Sequence, residues 1–145
     1  MLDHLGQRRR MPRLALSGAA LLALVSLSGC AGRGSVEQEA VRSTASGFVL
    51  ATSSAPAEAC AMLAPATTEE LAGDGEECTD LVSDAAASAP DGDALDVEVY
   101  GRDAIARSGD KAIFLARFDD GWRVTAAGCT PRGEDLPYDC TIEGR

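Results

Sequence analysis

Most of the chemistry open to this 145-residue chain rests on five cysteines, and their setting separates one from the other four. Cys60, Cys78, Cys129 and Cys140 are separated by 18, 51 and 11 positions, with no Cys-x-x-Cys pair and no histidine nearby to complete a zinc tetrahedron. An even set of this kind outside the cytoplasm reads as two disulfides, for which three connectivities are open. Cys60 with Cys78 and Cys129 with Cys140 is the preferred pattern, because each pair falls at the facing ends of neighbouring predicted elements. On the chain-entropy model each bridge stabilises by about 2 to 3 kcal/mol.

Other reactive groups are few. The sole histidine, His4, lies in the leader described below, so the remainder has no imidazole for a triad, a metal site or acid-base transfer. Lys111 is the only lysine and sits where a turn meets a strand, and Gly73-Asp74-Gly75 lacks the Lys and Ser/Thr of a phosphate loop. Carboxylates and phenols remain at Asp96, Glu98, Tyr100, Asp103, Tyr138 and Asp139. The first three alternate with Leu95, Val97 and Val99, which reads as the solvated face of a strand. No catalytic residue, metal site or cofactor is expected. Two aromatic residues are candidate ligand contacts: Trp122, otherwise a core plug beside Phe114, and Tyr138, otherwise a cover for the second disulfide.

Cys30 closes a different pattern. Arg8, Arg9, Arg10 and Arg13 precede an apolar run from Leu14 to Leu27, and Ser28-Gly29 leads into the cysteine. A basic flank, an apolar stretch and small residues are the three parts of an export signal. The run of 14 residues falls short of the roughly 20 that a membrane-spanning helix needs. Leu27-Ser28-Gly29-Cys30 resembles the lipobox of bacterial lipoproteins, in which the cysteine is acylated and becomes the mature amino terminus. The resemblance implies residues 1–29 as signal peptide, Cys30 as lipidation site, and anchorage at the extracytoplasmic face of the cell membrane. Two or more acyl chains hold stably where one holds marginally.

Removing residues 1–29 takes away four arginines and Asp3, leaving nine basic and 22 acidic residues, a net charge of −13. No nucleic-acid partner is expected, because phosphate neutralisation needs clustered Lys and Arg. An anionic lipid surface repels such a domain as well, which leaves the anchor to hold it. The remaining 116 residues suit one domain, 35–145, behind a tether at 30–34 whose four residues after the cysteine reach about 13 to 14 Å when extended.

The elements that must position these groups change character midway. Ser35 with Gln38 forms a capping-box pattern, and Val36, Ala40, Val41, Ala45, Phe48 and Val49 recur at helical spacing, which predicts a helix over 36–52. Pro56 starts a second over 56–64, Thr67 and Glu70 open a short capped turn through Leu71, and a third helix covers 75–88. Beyond Ala89-Pro90-Asp91-Gly92 the period falls to two. Strands are predicted over 94–107, with Gly101 as a bulge, then 111–118, 122–129 and 139–143. Helices followed by a three- or four-stranded antiparallel sheet make an α+β fold.

AIFLARFDDGWRVTAAGC, from Ala112 to Cys129, is similar to the terminal hairpin of ketosteroid-isomerase-like, or nuclear-transport-factor-like, cone domains. With GWRVTAAGCTP and PYDC, the chain also resembles small actinobacterial cell-envelope lipoproteins. The resemblance implies a curved sheet around N-terminal helices, often with a pocket. The expected role is a non-catalytic binding or accessory module meeting a membrane-protein partner or an apolar small molecule. The alternatives are a lipid-anchored cone-fold enzyme working through carboxylates, a carrier of apolar ligands, or a surface antigen. Oligomeric state is left open.

Overall fold

A computed structural model describes residues 31–73 and 77–144. Four helices come first: α1 (Ala31–Ser54), α2 (Pro56–Ala61), α3 (Pro65–Gly73) and α4 (Cys78–Ala85), the last continued by a 3₁₀ turn at Ala86–Ser88. Five strands follow: β1 (Asp96–Tyr100), β2 (Asp103–Ser108), β3 (Lys111–Phe118), β4 (Gly121–Pro131) and β5 (Tyr138–Glu143). They form one sheet in the order β1-β2-β3-β4-β5, every neighbouring pair antiparallel. The fold is α+β, with five strands where the sequence pattern predicts three or four.

The long first helix earns its place through one face. Val41, Ala45, Phe48 and Thr52, spaced at four, three and four residues, are all buried. Polar side chains beside that stripe fasten the helix to the segment leading into β1 and to β1 itself. Ser46 Oγ donates to the Gly92 carbonyl at 2.6 Å, Arg42 donates to the Leu95 carbonyl, and Gln38 Nε2 donates to the Val97 carbonyl at 3.4 Å. Ser35 does not cap the helix, which runs back to Ala31. Residues 31–34, expected as an extended tether, are helical. Propagating an existing helix adds one hydrogen bond for each residue fixed, so a local cap signal need not mark its end.

Three further boundaries differ from the sequence pattern, each for a tertiary reason. The second helix stops at Ala61 instead of 64 because the next residues pair with the sheet. Val124 N–H donates to the Met62 carbonyl at 3.0 Å, and Ala64 N–H donates to the Val124 carbonyl at 2.7 Å. Residues 65–73 make a full helix, in which Thr67 is not a cap; it is buried, and its hydroxyl donates to the Thr125 carbonyl at 3.1 Å. Gly101 is a turn, not a bulge: Tyr100 pairs with Asp103, which leaves Gly101-Arg102 as a two-residue hairpin with Gly101 at φ +67°. The predicted strand 94–107 is therefore two strands.

Both faces of the sheet carry apolar residues. The main core combines Val41, Phe48, Leu63 and Val82 from the helical half with Ala104, Ala106, Ile113, Leu115, Val124 and Ile142 from the strands. A second cluster joins Ile105, Ala112, Ala126 and Cys129, with Phe114, Tyr138 and Cys140 packed against it. Ala104 and Ala106 face the helices, so by strand alternation Ile105 and its cluster lie on the opposite, outer face. Trp122 belongs to the main core and is not beside Phe114. Trp122 pairs with Arg117, three residues along β3 from Phe114, so strand alternation puts the two rings on opposite faces.

Candidate functional site

The outer cluster is built from cross-strand neighbours. Ile105 on β2 stands opposite Phe114 on β3, Phe114 opposite Ala126 on β4, and Ala126 opposite Glu143 on β5. Strands lie about 4.8 Å apart, so the small Ala126 forms a floor between Phe114 on one side and Glu143 on the other. Cys129 and Cys140 are also direct partners, their Cα atoms 4.0 Å apart, and a disulfide joins them. That bridge holds the start of β5 against β4, two residues from Tyr138. The Tyr138 ring meets Phe114 edge to face, with centroids 5.1 Å apart and planes at 78°.

These residues surround an open groove of about 410 Å³ whose lining includes Phe114, Thr125, Ala126, Pro137, Tyr138 and Glu143. Its size lies within the range of small-molecule sites, and its composition matches their pattern of apolar walls with a few polar groups. The connection from β4 to β5 forms one rim and carries two positive φ angles, at Gly133 and Asp135, with Leu136 57 % exposed. Behind the groove, the Thr125 carbonyl accepts from Thr67 Oγ1 and from Gly144 N–H at 3.0 Å. A Cβ on Gly144 would collide with that same threonine. Helix α3 thus fixes the wall of a site on the far face of the sheet.

Tyr138 is the one sequence candidate brought into this groove. Trp122, the other, is buried on the helix side, where its indole N–H donates to Glu37 Oε2 at 3.0 Å. The same carboxylate is paired with Arg117, whose guanidinium lies 5.9 Å from the indole centroid. Arg117, and then Trp122, hold the Glu37 carboxyl below its ordinary range. The indole is part of a clasp between α1 and the β3–β4 hairpin.

The carboxylates divide similarly. Glu98 and Asp96 share Arg107, and the Tyr100 hydroxyl donates to Glu98, all on the outer face of β1 and β2. Tyr100 is 61 % exposed and Asp103 is exposed too. Asp139 lines a separate polar cleft with Ser88, Thr130 and Thr141. Lys111 Nζ donates to the Ala87 carbonyl at 3.1 Å, within the 3₁₀ turn. Cys60 is disulfide-bonded to Cys78, with Cα atoms 6.1 Å apart, which ties α2 to α4. Cys30 and residues 1–29, the expected signal peptide, lie outside the described residues.

No protein-family model, curated protein or solved structure matches the chain. Among the described residues, no group of three or more His, Cys, Asp or Glu side chains is arranged to hold a metal ion. No described helix is long and apolar enough to cross a membrane.

The sequence pattern marked Thr67 as a cap and Phe114 as a core neighbour, and it assigned none of Phe114, Ala126, Glu143 and Thr67 to a binding site. A signal for Phe114 exists: Ala112-Ile113-Phe114-Leu115-Ala116 is apolar at both parities, which requires cover on both faces of a strand.

Proposed function

We propose that the chain is an exported, lipid-anchored, non-catalytic binding module of the cell envelope, and that its binding face is the outer-sheet groove around Tyr138. The observation that carries this reading is the Phe114–Tyr138 pair above the Ala126 floor, a partly open apolar surface on the side of the sheet away from the helices. The helix-facing side is occupied by the protein's own side chains, Phe48, Ile113 and Leu115 among them. A ligand therefore meets the sheet from outside, unlike the pocket a cone domain implies.

Support for anchorage comes from the sequence alone, through the basic flank, the short apolar run and Leu27-Ser28-Gly29-Cys30. Against the carboxylate-enzyme alternative stands the engagement of Glu98 by Arg107 and Tyr100 on an open face, where water screens any charge. The test is capture of the bound species from detergent-solubilised membranes by the intact protein and by Tyr138→Glu. Capture by the first and at least tenfold loss in the second is expected. Equal recovery by both would remove the groove from the function.

A further inference from the structure

Resting on the groove reading above, we infer that the site selects organic cations: a compact apolar body carrying a positively charged nitrogen. Its lining holds two aromatic rings, Phe114 and Tyr138, and one carboxylate, Glu143, with no lysine or arginine. Register places these groups on facing sides of one floor. Phe114 and Glu143 are each the direct cross-strand partner of Ala126, so an aromatic wall and an acidic wall flank a residue too small to fill the space between them. That spacing, two strand separations or about 10 Å, admits an alkylated ammonium group.

Each wall contributes a different attraction. Ring faces carry negative electrostatic potential and attract a cation that has given up part of its water, an interaction weakly available to a neutral isostere and opposed for an anion. The carboxylate adds a charge-assisted contact. The field of the whole chain points the same way, since the part after the signal carries −13. That general field acts on any cation at any surface point, whereas the Phe114–Tyr138–Glu143 arrangement acts only in the groove. The experiment must separate the two.

The probe is benzyltrimethylammonium, titrated into the disulfide-intact protein beginning at Cys30, unacylated, and followed by amide chemical shifts. Its neutral isostere 2,2-dimethylpropylbenzene and the anion phenylacetate serve as comparisons, at matched concentrations below the isostere's solubility. Saturable shifts confined to the groove around Phe114, Ala126 and Tyr138 are expected for the cation, with binding about fivefold or more tighter than the isostere. Glu143→Gln should weaken the cation by a similar factor and leave the isostere unchanged. Glu58→Gln, exposed on α2 and absent from the groove lining, should leave both unchanged.

Equal binding of cation and isostere would overturn the inference while leaving the groove as a binding site. Equal effects of the two Glu→Gln variants would reduce it to bulk electrostatics and overturn it as well. Groove shifts with none of the three probes would also overturn it; the wider reading then stands or falls on the Tyr138→Glu capture experiment.

Discussion

Glu37 shows how one side chain can join two halves of a molecule. Its carboxylate receives Trp122 Nε1 and Arg117, so α1 is tied to the β3–β4 hairpin through a group whose pKa is lowered from 4.5. A depressed carboxylate contributes stability that is fully present above its unfolded value and lost as pH falls through the folded one. Glu37→Gln should therefore lower the melting temperature at pH 6 to 7, and the gap from wild type should narrow as pH drops below 4.5. A gap that is constant down to pH 3 would place the stabilisation elsewhere. Gly128 poses a steric question. It sits at φ +65°, and an added Cβ would come within 2.8 Å of Thr141 Oγ1 and 3.3 Å of the Ala85 Cα. Gly109, at φ +62°, has open space around it. Gly128→Ala should cost about 1–3 kcal/mol by urea denaturation, and more than Gly109→Ala, since only the first adds a collision to the backbone strain.

Elements are held in pairs, one disulfide to each half. Cys60–Cys78 closes α2 onto α4, and Cys129–Cys140 closes β5 onto β4. Both loops are short, so removing either should cost about 3 kcal/mol on the entropic model. Their consequences for the groove should differ. In Cys129→Ala/Cys140→Ala, amide exchange should accelerate across β5 and the Phe114–Tyr138 contact should loosen, while in Cys60→Ala/Cys78→Ala β5 should remain protected. Similar exchange in the two double variants would mean that α3, through Thr67 and Thr125, holds the groove without help from the second bridge. Strand β3 was legible at both ends because Ser108-Gly109-Asp110 and Asp119-Asp120-Gly121 bracket it with turn chemistry. The Gly101 hairpin was not, since a glycine within an alternating run suits a bulge or a turn equally well. The pairing of Tyr100 with Asp103 decides between them.

At the scale of the whole molecule, a domain this acidic needs something other than surface charge to stay at a membrane, and the proposed anchor at Cys30 supplies it. Cys30→Ala should move the protein from the membrane fraction to the soluble fraction after cell disruption. Retention in the membrane fraction would sink the anchor and turn attention to the apolar run itself. With α1 starting at Ala31, residues 31–34 rise about 6 Å as helix instead of reaching twice that as an extended tether.

Local chemistry alone determined which side chains are missing beyond residue 29, the α+β class, the change of period near Gly92 and the turns around β3. These follow from residue type and short-range spacing, which tertiary contacts can modify but not supply. Only the tertiary structure decided that Trp122 faces the helices while Phe114 faces outward, that Thr67 supports a sheet carbonyl instead of capping a helix, and that Ala126 lies between an aromatic ring and an acid. The physical reason is register. Trp122 takes the face of Arg117, its partner across the hairpin, while the shift between Phe114 and Leu115 sets Ala126 opposite Phe114; both are fixed by pairing across the sheet, which no short window of sequence contains.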